Sequence, residues 1–141
     1  MTILKYFFVF SILSIFHDVA PTNSVTITIE NLKSTKGTVQ IAVFNRSESF
    51  PKAGGEYKLS QFKLSTGKSN FTINDLPDGE YAIAIHHDEN SDGKMNTNMV
   101  GIPKEGYAFS RDFKPKFSAP VFSDCAIQIT SDQKLNLKMI Y

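Results

Sequence analysis

The sequence predicts an all-β protein, a single antiparallel β-sandwich of about seven strands with a long aromatic-rich loop. Apolar and polar residues alternate with a period of two in one segment after another, and no segment after residue 24 shows a sustained helical period. Glycine, proline and Asx residues separate the alternating segments, as turns between strands require. The composition, with twelve Phe, five Tyr and no Trp, also favours strands.

The predicted strands are, in chain order, residues 24–30, 38–44, 57–64, 69–74, 80–87, 125–130 and 135–141. The first two are expected to form an antiparallel hairpin through a short turn, with one apolar and one polar face. The last two are expected to form a second hairpin around Ser131, Asp132 and Gln133. This number of strands is typical of an immunoglobulin-like sandwich in one domain, residues 25–141.

The strand at residues 80–87 is apolar on both faces, which places it at the centre of a sheet. Tyr81, Ile83 and Ile85 alternate with Ala82 and Ala84. The small alanines allow another segment to lie close, and residues 99–122 are the expected cover because they are rich in aromatic side chains. These are Tyr107, Phe109, Phe113, Phe117 and Phe122.

The first 24 residues have the layout of a secretory signal peptide. Lys5 precedes an uncharged, mainly apolar run at residues 6–16, and small residues follow near residues 20–24, where we expect cleavage. The run is shorter than the roughly 20 residues that span a bilayer. We therefore expect a secreted or periplasmic protein with no transmembrane segment in the mature chain.

The charge and the cysteine content limit the functional classes. Fifteen basic and fourteen acidic residues are interspersed and give a formal charge of +1, so no basic stripe for nucleic acid is expected. Cys125 is the single cysteine, which excludes an internal disulfide, and its apolar context indicates a buried thiol rather than a nucleophile. Partners stay open, with an envelope protein or polysaccharide as candidates.

An acidic loop follows the central strand and carries the spacing of a calcium loop. The pattern D-x-N-x-D-G-x-x-N places side-chain oxygens at alternate positions, where they converge when the loop curls. The predicted Ca²⁺ ligands are Asp88, Asn90, Asp92, the backbone carbonyl of Lys94, and Asn96. Position twelve is Met99, which supplies no carboxylate, so Asn98, Glu105 or Asp112 would have to complete the shell. The alternative is a turn held by its own hydrogen bonds.

His86 and His87 precede the loop and suggest a metal enzyme or a hydrolase, together with Asp88 and Glu105. Adjacent strand residues face opposite sides, however, so the two imidazoles are not expected to act as a pair. No catalytic residue or cofactor other than Ca²⁺ is therefore assigned.

Three stretches carry a family resemblance: residues 31–45, residues 76–98 and residues 101–110, the last reading G-I-P-K-E-G-Y-A-F-S. They resemble a family of secreted bacterial proteins, domain-of-unknown-function family 2141, over about residues 25–137. The resemblance implies a transthyretin-like or carboxypeptidase-regulatory-like sandwich and carries no established activity, substrate or partner.

The function expected from the sequence is a non-enzymatic accessory or binding module with a structural calcium loop. The alternatives are a carbohydrate or peptidoglycan-fragment binder that uses the aromatic loop 107–122, and a hydrolase or metal enzyme around His86 and His87.

Overall fold

A computed structural model describes residues 20–67 and 69–141. Most of the predicted signal peptide lies outside these residues. The described part contains eight strands, β1 (Thr22–Glu30), β2 (Thr38–Phe44), β3 (Lys58–Lys63), β4 (Asn70–Pro77), β5 (Gly79–Asp88), β6 (Gly106–Phe109), β7 (Ile127–Ile129) and β8 (Gln133–Lys138). A 3-10 turn at Ser110–Asp112 and one short helix, α1 (Phe122–Cys125), complete it. The all-β prediction is confirmed.

The strands form two sheets. Sheet I has the order β4-β1-β8, and sheet II has the order β3-β2-β5-β6, with β7 paired to the start of β5. Every pairing is antiparallel except that of β1 with β8, which is parallel. The prediction that residues 80–87 form a central strand is confirmed, because β5 pairs with β2, β6 and β7.

Both predicted hairpins are wrong. β1 and β2 lie in different sheets, so the link between them crosses the sandwich instead of turning back within one sheet. β7 pairs with β5 and β8 pairs with β1, and the final strand of the prediction also starts too late. Alternation determines which face of a strand is apolar but carries no information about its neighbour.

The main core lies between the two sheets. The inward residues of β1 and β4, such as Ile27 and Ile73, pack against those of β2 and β5, such as Ile41 and Ile83. Two sheets that share one apolar interior make a β-sandwich. The described part contains no helix long and apolar enough to cross a membrane.

A second apolar cluster covers the outer face of sheet II at the start of β5. We call it the phenylalanine cluster; its rings pack on Ala82 and Ala84 beside Cys125 and belong to Phe44, Phe50, Phe109, Phe113 and Phe122. The predicted cover over the alanines is confirmed for three of the five aromatic residues. The prediction is wrong for Phe117, whose side chain is fully exposed. Tyr107 is half-buried and lies outside the cluster.

Ser110 bridges β6 and β7 along one edge of β5. β6 pairs with Ala84–His87 and β7 with Gly79–Tyr81, which leaves a gap opposite Ile83. The buried Ser110 Oγ accepts a hydrogen bond from Ile83 N at 2.9 Å and donates to the carbonyl of Cys125. The residues between Ser110 and β7 therefore leave the sheet, carry part of the phenylalanine cluster, and return.

Candidate functional site

The acidic loop, residues 88–98, curls around its own side chains. Asp88 accepts hydrogen bonds from Asp92 N at 3.2 Å and Gly93 N at 2.8 Å. Asn90 Oδ1 accepts one from Asp92 N at 3.0 Å, and Asp92 Oδ1 accepts one from Lys94 N at 2.8 Å. Each side chain thus binds the backbone a few residues onward, which turns the alternating positions toward one another.

The side chains of Asn90, Asp92 and Asn96 meet in direct contact. Asn90 Nδ2 lies 3.0 Å from Asp92 Oδ2 and 2.8 Å from Asn96 Oδ1. Asn96 Nδ2 donates to the same Asp92 oxygen at 3.1 Å. These hydrogen bonds, led by the one from Asn96, hold the pKa of Asp92 below its usual range. The structure therefore brings together three of the predicted ligand side chains, with Asp88 joined to them through the backbone of Asp92.

Glu105 closes the loop from outside the nine-residue motif. Its Oε1 accepts a hydrogen bond from Glu89 N at 3.1 Å, and its Oε2 accepts one from Asn96 N at 3.0 Å and lies 3.0 Å from His86 Nε2. Burial acts to raise the pKa of Glu105, but these hydrogen bonds outweigh it and hold the pKa below its usual value. The loop is thereby tied to the strand that precedes it and to the segment that follows it.

The other two candidates for completing a cation shell are engaged elsewhere. Asn98 Oδ1 accepts hydrogen bonds from Val100 N and Ile102 N. Asp112 accepts a hydrogen bond from Lys138 N. Asp112 follows Phe109, the end of β6 that is farther from the loop. In the described part, no three His, Cys, Asp or Glu side chains are arranged to hold a metal ion. Of the predicted Ca²⁺ donors, only Asp88 and Asp92 belong to these four residue types. The others are two asparagine side chains and a backbone carbonyl.

A glycine fixes the start of the loop against the sandwich. Gly37 has φ of +72° and lies so close to β5 that a β-carbon there would stand 1.9 Å from the carbonyl oxygen of Asp88. Asp88 itself is fully buried and also accepts from Gln40 Nε2 at 3.4 Å. The base of the acidic loop is consequently part of the folded core.

The two histidines face opposite sides, as the alternation predicted. His87 points into the main core, fully buried, with Nδ1 2.8 Å from the Tyr141 hydroxyl and Nε2 2.9 Å from the carbonyl of Lys36. His86 points to the outer face and meets Glu105. A paired role for the two imidazoles is excluded by this geometry, and His86 with Glu105 remains the one acid–base pair at this end of β5.

An open groove of about 790 Å³ runs across the outer face of sheet II, and we call it the outer groove. Its floor is the part of the sheet between the phenylalanine cluster and the acidic loop, and includes Ala42, Ala84 and His86. One wall is formed by residues 93–95 and 100–103, and residues 115–120 form another. The end of the acidic loop is thus also a wall of the groove.

A family model described as "uncharacterized protein conserved in bacteria (DUF2141)" matches residues 27–137. The chain belongs to this family. The match spans the sandwich from β1 to β8, which agrees with the resemblance carried by the sequence motifs. No curated protein and no solved structure matches the chain. The narrower likeness of this DUF2141 protein to transthyretin-like or immunoglobulin-like sandwiches stays a prediction.

In this DUF2141 protein, the sequence indicated the acidic loop and, as an alternative ligand-binding segment, the aromatic loop 107–122, of which Tyr107, Phe109 and residues 115–120 line the outer groove. The loop residues are close in sequence, so their spacing alone indicates that they meet. The groove is built from distant segments, and its signals were the small side chains of β2 and β5 and the run Met99-Val100-Gly101-Ile102. That run is apolar yet exposed at Met99, Val100 and Ile102, which is unusual for a surface loop.

Proposed function

We propose that this DUF2141 protein is an exported, non-enzymatic binding module whose acidic loop holds a structural Ca²⁺ ion. The observation that supports the ion is the direct contact among Asn90, Asp92 and Asn96, next to Asp88. The oxygen of Asn90 already accepts from Asp92 N within the loop, and a half-turn of the Asn96 amide exchanges its NH₂ for its oxygen beside Asp92. Hard oxygen donors would then face one point, as Ca²⁺ prefers.

The expected affinity is low. Asp88 and Asp92 are the only carboxylates of the motif, and Met99 stands where an EF-hand supplies a bidentate glutamate. Loops with so few charged ligands fall in the roughly 10⁻⁴–10⁻³ M class found outside cells. Such a site would be half or more occupied at millimolar Ca²⁺, and the ion would stiffen the loop that forms one wall of the outer groove.

The non-enzymatic part of the proposal draws on the state of the reactive side chains. Burial raises the pKa of the Cys125 thiol to about 12, so the nucleophilic thiolate is scarce at neutral pH. His87 is enclosed in the core, and the Glu105 carboxylate is committed to two backbone N–H groups besides His86. These groups have structural partners in place of a substrate.

Export is proposed from the N-terminal leader. β1 begins at Thr22, inside the predicted cleavage zone at residues 20–24, and Thr22 and Asn23 pair with Pro77 and Leu76. Cleavage at the start of the zone would leave this strand whole. Mass spectrometry of the protein recovered from the periplasm or medium would give the new N-terminus, and an uncleaved chain retained in the cytoplasm would contradict export.

The calcium proposal is tested by thermal unfolding and titration calorimetry of the mature protein with Ca²⁺ and with EDTA. At about 10 mM Ca²⁺, an affinity in this class stabilises the fold by about 1–3 kcal/mol. The variant Asp92→Asn keeps the acceptor for Lys94 N but removes a charge, and should abolish the effect. Asp132→Asn is the matched control, since Asp132 also accepts a backbone N–H, from Ser24. Unchanged unfolding of the natural protein in Ca²⁺ and EDTA would contradict the proposal.

A further inference from the structure

We propose that the outer groove binds a long-chain carboxylate, with the acyl chain along the floor and the carboxylate at the lysines of the rim. This gives the binding module a ligand class and a site. The proposal rests on the proposed binding role but not on the calcium ion, because backbone hydrogen bonds from Asn98 N to Ile102 O and from Lys104 N to Asn96 O hold the wall nearest the loop.

The floor is deep because two alanines lie side by side. Ala42 on β2 is paired directly with Ala84 on β5, and both point to the outer face. Toward the start of β5 the phenylalanine cluster rises above them, and toward its end the acidic loop does. The resulting volume of about 790 Å³ is within the range of small-molecule sites, about 300–1,000 Å³.

The exposed apolar surface of the described part is concentrated at this groove. Eight large hydrophobic side chains are exposed in the described part of the chain. Five of them line the groove: Leu59, Met95, Val100, Ile102 and Phe117. Isolated exposed hydrophobic residues are ordinary, but a contiguous group marks a binding surface. Four of the five are aliphatic or thioether chains, which pack on methylene groups in any orientation.

Two polar side chains of the floor, Gln40 and His86, already have partners within the protein. Gln40 donates to Asp88 at 3.4 Å, and His86 contacts Glu105 at 3.0 Å. Glu56, which also lines the groove, accepts from Gly54 N at 2.9 Å. A sugar needs several free hydrogen-bonding groups to replace its hydration, whereas an acyl chain needs none. This favours an apolar ligand body over a carbohydrate.

The groove is lined by two lysines and, at Glu56, by one carboxylate that binds the N–H of Gly54, so the formal charge along it is positive on balance. Lys94 lies on one wall and Lys116 on the other, and both are exposed. Within the described residues, the ion pairs are Lys58 with Asp75 and His86 with Glu105, so neither wall lysine has a carboxylate partner there. The complement of an apolar floor with two cations at the rim is an apolar chain that ends in an anion.

The test is calorimetric titration of the mature protein with octanoate, decanoate and dodecanoate, below the concentrations at which they form micelles. Affinity should rise about fourfold per added methylene group, and the alcohol of equal length should bind more weakly than the carboxylate. Titrations in EDTA and in Ca²⁺ separate this proposal from that of the ion, since binding in EDTA with no calcium effect supports the groove alone.

Three variants locate the ligand. Ala84→Leu fills the floor and should abolish binding, provided that its far-UV circular dichroism is native. Lys94→Glu with Lys116→Glu changes only exposed side chains, and should weaken carboxylate binding between about twofold and thirtyfold while sparing the alcohol. Lys134→Glu, on the exposed part of sheet I, is the matched control and should leave affinity unchanged.

Three results would overturn the proposal. The first is an affinity that does not depend on chain length. The second is carboxylate binding that the double lysine variant leaves intact. The third is binding of a soluble peptidoglycan or polysaccharide fragment that Ala84→Leu removes, together with no binding of the carboxylates, which would assign the same groove to a sugar.

Discussion

Glu105 is the residue on which the shape of the acidic loop most depends. It comes nine residues after Asn96, yet it binds both the entry and the exit of the loop and contacts His86 on the outer face of β5. Its side chain is largely buried, so each of these hydrogen bonds is shielded from water. The pKa of Glu105 lies below its usual value because the hydrogen bonds to the carboxylate outweigh the cost of burial.

This lowered pKa predicts a pH dependence of stability. A carboxyl with a lower pKa in the folded state than in the unfolded state contributes stability above the unfolded value, about 4.5, and the contribution is lost as the pH falls through the folded value. Glu105→Gln should cost about 1–3 kcal/mol near pH 7, since one of the two acceptor oxygens becomes an NH₂ group that faces a backbone N–H. The cost should shrink in acid, measured by urea unfolding from pH 7 to pH 3.

The control for this variant is Glu80→Gln, because Glu80 lies on β5 but is exposed. It should change the stability little at either pH. A Glu105→Gln protein that loses the same free energy of unfolding at all pH values would contradict the assigned role.

Cys125 gives a second prediction at this scale. The thiol is fully buried, and burial raises its pKa to about 12. It should therefore not react with a disulfide reagent at about pH 8 in the native protein, and should react at once in urea. Rapid labelling of the folded protein would contradict a structural role and revive the nucleophile interpretation.

Among the elements, the interrupted edge of β5 depends on one hydroxyl group. β6 and β7 lie along the same edge of β5, and Ser110 Oγ takes the hydrogen bond that Ile83 N would otherwise give to a strand. The excursion between Ser110 and β7 brings Phe113 and Phe122 over the sheet. The Ser110 hydroxyl thus takes the place of a backbone hydrogen-bonding group where the chain leaves the edge of β5.

Ser110→Ala should therefore destabilise the protein by about 1–3 kcal/mol, because Ile83 N becomes a buried donor without an acceptor. Amide hydrogen exchange should speed up at Ile83 more than at Ile41, which lies on the neighbouring strand. The control is Ser65→Ala, at an exposed serine. Equal stability of the two variants would show that the Ser110 hydroxyl does not hold the edge.

The strands themselves could be predicted closely from the sequence, whereas their pairing could not. All seven predicted strands overlap observed ones within about three residues at each end, because alternation is a local property, and the short strand β6 is the one that was not predicted. β1 leaves the expected hairpin because it pairs with β4 and β8, which come 40 or more residues later in the chain. The acidic loop followed from local spacing. Glu105 was only one of three candidates to complete it, and the outer groove was not assembled from its scattered signals, because both depend on contacts between distant segments.

Across the whole molecule, sheet II is shared by two apolar regions. Ile41 and Ile83 face the main core between the sheets, while Phe44 and Ala82 face the phenylalanine cluster on the other side. Phe44 and Phe50 meet edge to face with ring centroids 5.2 Å apart. Because β2 and β5 contribute to both regions, neither region can lose its packing without disturbing the same pair of strands.

We therefore expect the two regions to unfold in one transition. Ile41→Ala in the main core should cost about 2–5 kcal/mol, and Phe44→Ala in the phenylalanine cluster about 3–5 kcal/mol. In urea, tyrosine fluorescence and far-UV circular dichroism should give one coincident midpoint for each variant, below that of the natural protein. If the phenylalanine cluster were an independent cover, Phe44→Ala would leave the circular dichroism midpoint unchanged, and the coupling of the two regions through sheet II would be refuted.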